Sequence, residues 1–130
     1  MRVDLDTSPP PLSGRDGPRR IPGGVIRPGT WLHLLRALND LAGGAGELRD
    51  HAERAWASAT FTGSRHAFTI DFTGLAAIDG AEDLIARLPD HEFAIPGQIV
   101  ADATILAVEH RALPMPGLTL TCELLLVAEA

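Results

Sequence analysis

The fold is decided by two stretches near the end of the chain, QIVADATILAVEH at 98–110 and GLTLTCELLLVA at 117–128. Both are long, alternate in character and are rich in leucine and β-branched residues, a composition that favours extended strands. The loop RALPMP joins them. We therefore predict an antiparallel pair of strands around which a sheet is built.

Alternation gives each of these strands two faces, because successive side chains point to opposite sides of a strand. In the second strand, the even positions from Leu118 to Leu126 are apolar and oppose small, odd-numbered residues of the first strand. This combination predicts an inner layer packed against helices. The opposite face is partly polar, but it also carries an aliphatic patch. Each predicted helix has a single apolar stripe, which packs on the inner face, so the helices leave this patch uncovered. We predict that this patch is a self-association interface, made of Leu106, Val108, Leu125 and Val127.

Two amphipathic helices are predicted before these strands. The first covers 30–42, where apolar residues follow the i, i+3, i+4, i+7 spacing of one buried stripe and a pair of glycines ends the helix. The second covers 79–88, with Asp79 as its N-cap, Glu82 completing a capping box and Pro89 ending it.

The segment between the helices predicts a second hairpin. Its strands, 55–62 and 65–73, are joined by the turn TGSR in a register that places Ala59 opposite Phe68. The alanines of 47–59 leave a helical alternative open for the first part of this segment.

The composition bounds the class of protein. The length of 130 residues predicts a single domain, which we place at 21–130. The preceding residues, 1–20, are rich in proline, glycine and arginine and are predicted to form a flexible arm. The net charge is −6 and most of the acids follow the arm, which argues against a nucleic-acid groove. The absence of lysine excludes a phosphate-binding P-loop lysine and a Schiff-base lysine.

The same composition predicts a cellular setting. No apolar run approaches the twenty or so residues that a membrane-spanning helix needs. The N-terminus lacks the apolar core of a signal peptide, and a single cysteine fits a reducing compartment, so we expect a cytoplasmic protein. Abundant alanine, glycine and proline, with arginine as the basic residue, is typical of a GC-rich bacterial gene.

The histidines, at 33, 51, 66, 91 and 110, are the candidates for chemistry. No two of them form a His-x-His pair or lie one helical turn apart, so we predict no metal site and no cofactor. As general bases, the candidates are His33, His66 and His91. Cys122 lies on the apolar face of the last strand and is interpreted as a small buried thiol.

Two proline-glycine segments carry a family resemblance. PGGVIRPG at 22–29, which leads into an apolar helix, resembles the P-G-x-x-[IV]-x-P-G segment of hotdog-fold 3-hydroxyacyl-thioester dehydratases. IPGQIVAD at 95–102 resembles their later turn into a long strand. The family's catalytic histidine corresponds here to Arg20 or Ile21, and its acidic residue falls near Leu34, so the dehydratase reaction itself is not implied.

The resemblance implies a sheet wrapped around the first helix, with acyl chains on coenzyme A or acyl carrier protein entering between two subunits. We predict an α+β domain in which one antiparallel sheet of four or more strands carries both amphipathic helices on one face. Two versions stay open, the hotdog-like wrapping and an α-β-β-α-β-β two-layer sandwich. Two functions also stay open: a non-catalytic, homodimeric binding or interaction module, and a hotdog-like protein that binds or processes acyl thioesters.

Overall fold

The two hairpins of this chain join through their second strands to form one sheet. A computed structural model describes residues 29–129, and the predicted arm at 1–20 lies outside that range. The strand order is β1-β2-β4-β3, and every neighbouring pair is antiparallel. The elements are α1 (Thr30–Leu41), β1 (Glu47–Ala57), β2 (Thr62–Thr73), α2 (Leu75–Arg87), a 3-10 turn (Leu88–Asp90), β3 (Gln98–Arg111) and β4 (Gly117–Ala128).

This architecture confirms the predicted α+β class, with a four-stranded antiparallel sheet and two helices on one of its faces. The order of elements is that of the α-β-β-α-β-β version. Because β2 and β4 are central, β1 and β3 are the two edges of the sheet. Both edge strands are long, and their outward backbone groups have no partner strand within the described residues.

The core lies between the two helices and the central strands. The alternation predicted for β4 is confirmed, because each even position from Leu118 to Leu126 is fully buried. Each large apolar side chain removed from water contributes about 1.5–3 kcal/mol to stability. The remaining large core residues are Leu34 and Leu38 of α1, Phe68, Ile70 and Phe72 of β2, Leu84 of α2 and Leu88.

The helices approach each other closely where α1 ends. A β-carbon at Gly80 of α2 would collide with the carbonyl oxygen of Ala42, so glycine is required for this helix contact. Ala42 and Ala81 are both buried there. Small residues at the crossing let Leu38 and Leu84 share one core.

The first hairpin differs from its prediction in position and register. Residues 47–57 are strand, so the helical alternative is wrong, and the turn lies at 58–61. Ser58 closes this turn, because its hydroxyl accepts hydrogen bonds from the amides of Thr60 and Phe61 at 3.3 and 3.0 Å. Phe68 therefore faces His51 and not Ala59.

The second helix begins earlier than predicted. It follows Gly74, which has φ 95 and whose amide donates to the carbonyl of Pro116 at 2.9 Å. Asp79 lies inside the helix and is not its cap. A glycine with positive φ redirects the chain one turn upstream of the capping-box sequence, which is why that sequence misplaces the start.

The strands of the second hairpin are confirmed, but β3 contains two irregularities. Its register shifts between Val100 and Asp102 and again between Ile105 and Ala107. Each β-bulge adds one residue and so exchanges the faces of the residues that follow. The inner face of β3 is consequently not its odd-numbered set throughout, because Val100 packs on the core together with Ala103 and Ile105.

Chemical denaturation can test whether α2 begins before Asp79. We expect Asp79→Ala to change the free energy of unfolding by no more than about 0.5 kcal/mol, because Asp79 is exposed and caps nothing. In the same helix Leu84→Ala should destabilise by about 2–5 kcal/mol, because it empties a fully buried position. A loss of about 1 kcal/mol or more for Asp79→Ala would restore its role as the cap.

Candidate functional site

A pair of histidines lies between the first hairpin and α1. In the register of β1 with β2, His51 faces Phe68 and Glu53 faces His66. His66 also faces Leu124 of β4, which puts it on the helix-covered side of the sheet, and it is fully buried. His51 Nε2 and His66 Nδ1 lie 2.9 Å apart, a hydrogen-bond distance.

The hydrogen-bonded chain continues beyond the pair. Ser64 Oγ lies 3.0 Å from His66 Nε2, and Glu53 Oε2 lies 4.0 Å from the same nitrogen. With both imidazoles neutral, the protons can run from Ser64 towards His51 or in the opposite direction. Either arrangement satisfies both nitrogens of the buried His66, which removes the penalty of burying an unpaired polar group.

Aromatic rings enclose His51. The Trp31 ring of α1 stacks on it at 5.2 Å between centroids, and the Phe68 ring of β2 stacks on it at 4.7 Å. Burial lowers the pKa of His66 to about 4, and the neighbouring His51 adds to this effect. Burial also lowers the pKa of His51, against an opposing attraction from Asp50. Both imidazoles are therefore neutral at pH 7.

Two kinds of chemistry use clusters of this composition, nucleophilic catalysis and metal binding. The order Ser64, His66, His51 is that of a nucleophile, a base and a group that orients the base. A base whose pKa is about 4 accepts a serine proton poorly near neutral pH, so the cluster is ill suited to that use. Neutral imidazoles next to a carboxylate are, by contrast, the ligand set of zinc-like ions. His51, Glu53 and His66 each offer one ligand atom, and these atoms lie within 4.8 Å of one another.

One signal in the sequence could have revealed part of this cluster. His51 and Glu53 are two residues apart, which in a strand places both on one face. The helical alternative for 47–59 hides this spacing, and a His-x-Glu pair matches neither the His-x-His pattern nor ligands one helical turn apart. The third member, His66, follows only from the register of the hairpin.

The other two candidate bases lie elsewhere. A surface cleft of about 430 Å³ brings His33 and His91 together, with charged residues around them. The structure thus joins two of the three predicted candidates and separates the third. The acyl-thioester hypothesis stays a prediction, since part of the segment that suggested it, 22–28, lies outside the described residues. The full lining of the cleft is His33, Arg36, Ala37, Asp40, Leu41, His91, Glu92 and Ala94.

The four predicted interface residues do not share one face. Leu125 and Val127 lie on the outer face, half-buried. Val108 pairs with the buried Leu120, so the second bulge returns it to the helix-covered side, where it is 37% exposed at the edge. Leu106 sits in that bulge and is 54% exposed. The assumption of a single patch is therefore wrong, whereas the role of these residues in self-association stays a prediction.

Cys122 has the placement predicted for it. It is buried, and burial raises the pKa of its thiol to about 12, so it remains protonated at neutral pH.

Comparison with known proteins shows a likeness of fold. No family model and no curated protein match the chain. A chain from a solved structure titled "Virion of native gene transfer agent (GTA) particle" is similar, with a TM-score of 0.55 and 15% sequence identity. The superposition covers 76% of this chain and 92% of that chain.

Within residues 29–129 no helix has the length and apolar character needed to cross a membrane.

The buried histidine makes stability depend on pH. His66 titrates near 6.5 when unfolded and near 4 in the native protein, so the unfolded chain binds more protons between these values. We expect the free energy of unfolding to be fully retained above pH 6.5 and to fall by on the order of 3 kcal/mol towards pH 4. Urea denaturation in the presence of a chelator measures this dependence.

His66→Gln is the matched variant, since glutamine keeps a hydrogen-bonding group but does not titrate. It should reduce the slope of the profile between pH 6.5 and 4, leaving the smaller loss that the lowered pKa of His51 produces. The pKa of Asp71 is lowered first by the hydrogen bond from Thr119 and also by Arg49. Protonation of this carboxylate therefore reduces the free energy of unfolding only below pH 3.8, the ordinary pKa of the group. An unchanged slope in His66→Gln above pH 4 would contradict the assignment.

Proposed function

We propose that this protein is a non-catalytic interaction module of the cytoplasm that assembles with further copies of itself through β3 and the loop after it. One observation carries this proposal. Among the described residues nine large hydrophobic side chains are exposed, and five of them lie on this strand or its loop. They are Ile99, Leu106, Val108, Leu113 and Met115.

The loop end of this surface is its most apolar part. Leu113 is 81% exposed and Met115 is 53% exposed. Leu75, 71% exposed, opens α2 directly after Gly74, whose amide is bonded to the carbonyl of Pro116 in the same loop. These three side chains do not stabilise a monomer while they are in water. Buried in a contact between two copies, each would stabilise that contact by roughly 1 kcal/mol or more.

The backbone of β3 supports a second copy as the partner. An edge strand offers a row of unpaired amides and carbonyls, and two copies of one edge can pair antiparallel about a two-fold axis. The other edge, β1, is less suited because charged residues dominate it, a common way to block edge pairing. These residues are Glu47, Arg49, Asp50, Glu53 and Arg54.

Polar contacts cross the outer face of the sheet near the start of β4, and they support the same choice. Arg49 bonds to Asp71 at 2.7 Å, and Thr119 donates to Asp71 at 2.6 Å. Arg111 donates to Thr119 at 2.7 Å, so one polar chain crosses all four strands. Groups already paired in this way gain little from a partner, which leaves the apolar side chains of β3 and its loop as the favoured contact.

The structural likeness supports assembly in a general way. The similar chain belongs to a virion particle, and a particle of that kind is built from many subunits. At 15% identity the likeness establishes fold alone, so the exposed side chains of β3 remain the basis of the proposal. The lone cysteine, Cys122, is free and buried, which fits the cytoplasmic setting.

Light scattering coupled to size-exclusion chromatography tests the proposal. We expect the wild type to be at least a dimer at micromolar concentration and Leu106→Glu to be a folded monomer, because the substitution places a charge in the contact. Phe61→Glu is the matched control. Phe61 has the same 54% exposure as Leu106 but lies in the loop between β1 and β2.

The control variant should keep the oligomeric state of the wild type. A wild type that is monomeric throughout this concentration range would contradict the proposal. So would an oligomer that survives both Leu106→Glu and Leu113→Glu, since the contact would then lie on another surface.

A further inference from the structure

We propose that His51, Glu53 and His66 form a binding site for one transition-metal ion of the zinc type. Two imidazoles and one carboxylate are a common zinc set, with a fourth position left to water or another ligand. Within the described residues these three are brought together by the pairing of β1 with β2, and their ligand atoms lie within 4.8 Å of one another.

The spacing of the two imidazole nitrogens is close to what an ion requires. Two nitrogens at the zinc–nitrogen distance of about 2.0–2.1 Å lie roughly 3.3 Å apart when the geometry is tetrahedral. His51 Nε2 and His66 Nδ1 are 2.9 Å apart, so they need to separate by only a few tenths of an ångström. The Glu53 side chain is 42% exposed and can move to complete the set.

The surroundings of His66 match those of a metal ligand. A ligating histidine usually donates its other ring N–H to an oxygen, which fixes the tautomer. Ser64 Oγ lies 3.0 Å from His66 Nε2 and supplies that oxygen, leaving the Nδ1 lone pair towards His51. The ion takes the place of the proton that links the two rings, and that proton moves to Nδ1 of His51.

The aromatic neighbours complete the site. Trp31 and Phe68 hold the His51 ring by stacking, which limits its rotation before an ion arrives. Both imidazoles lie on paired strands, so their backbone positions are fixed by the sheet. A preorganised pair of this kind loses little conformational entropy on binding.

An ion at this position would tie α1 to the first hairpin. It would bridge β1 and β2 next to the His51 ring, on which Trp31 at the start of α1 stacks. Because an ion that binds the native state alone stabilises it, we expect saturating zinc to raise the Tm by several degrees.

Calorimetric titration of the full chain, stripped with a chelator beforehand, tests the site with Zn²⁺ and with Mg²⁺ for comparison. We expect one Zn²⁺ per chain and no measurable binding of Mg²⁺, which prefers oxygen ligands. His51→Gln and Glu53→Gln should each weaken zinc binding by about tenfold or more. Co²⁺ in place of zinc should give the visible absorption of a tetrahedral site, and both variants should lose it.

The double variant His33→Gln/His91→Gln is the control, because it removes from the other cluster as many histidines as the proposed site contains. It should bind zinc as the wild type does, and circular dichroism checks that every variant is folded. Absence of zinc binding at micromolar concentration, or binding that survives His51→Gln, would overturn the proposal. The Leu106→Glu variant should still bind one ion, which keeps the failure of self-association distinguishable from the failure of this site.

Discussion

The pairing of β2 with β4 is the constraint on which the rest of the structure depends. Its register sets Phe68 opposite Cys122 and Phe72 opposite Leu118, so the apolar faces of both hairpins lie on one side of the sheet. Neither hairpin alone has a face large enough to hold two helices, and an isolated hairpin is marginally stable in water. Once the central strands pair, the helices have one continuous apolar layer to cover, and β1 and β3 become the edges.

The same register brings a polar group into that layer. Counting along β2 in steps of two from Phe72 leads through Phe68 to His66, which faces Leu124. A leucine at this position would need no partner, whereas a buried imidazole must be hydrogen-bonded on both nitrogens to avoid a penalty of about 1–3 kcal/mol. His51 and Ser64 meet that requirement. Groups that break the apolar rule of a core and are then fully paired are typical of functional sites.

The sequence predicts structure well where burial repeats with a regular period. It predicts less well where a single contact sets the position of a turn or the register of a strand. Alternation along β4 and the helical stripe of α1 were readable because burial repeats over many residues. The first hairpin was not, since its turn depends on the hydroxyl of Ser58. A register error of this kind also conceals the histidine pair, whose members are 15 residues apart. The bulges of β3 leave no composition signal, so the face of Val108 could not be assigned from parity.

The histidine cluster and the exposed apolar side chains lie towards opposite edges of the sheet. His51 lies on the edge strand β1 and His66 on the central strand β2, so a change at the histidine pair reaches β3 through β2 and its pairing with β4. Those strands are the most deeply buried part of the domain and are the least able to yield. An ion bound by His51, Glu53 and His66 would act instead on α1, through Trp31. The proposed self-association at β3 and the proposed ion binding by His51, Glu53 and His66 would therefore not oppose each other.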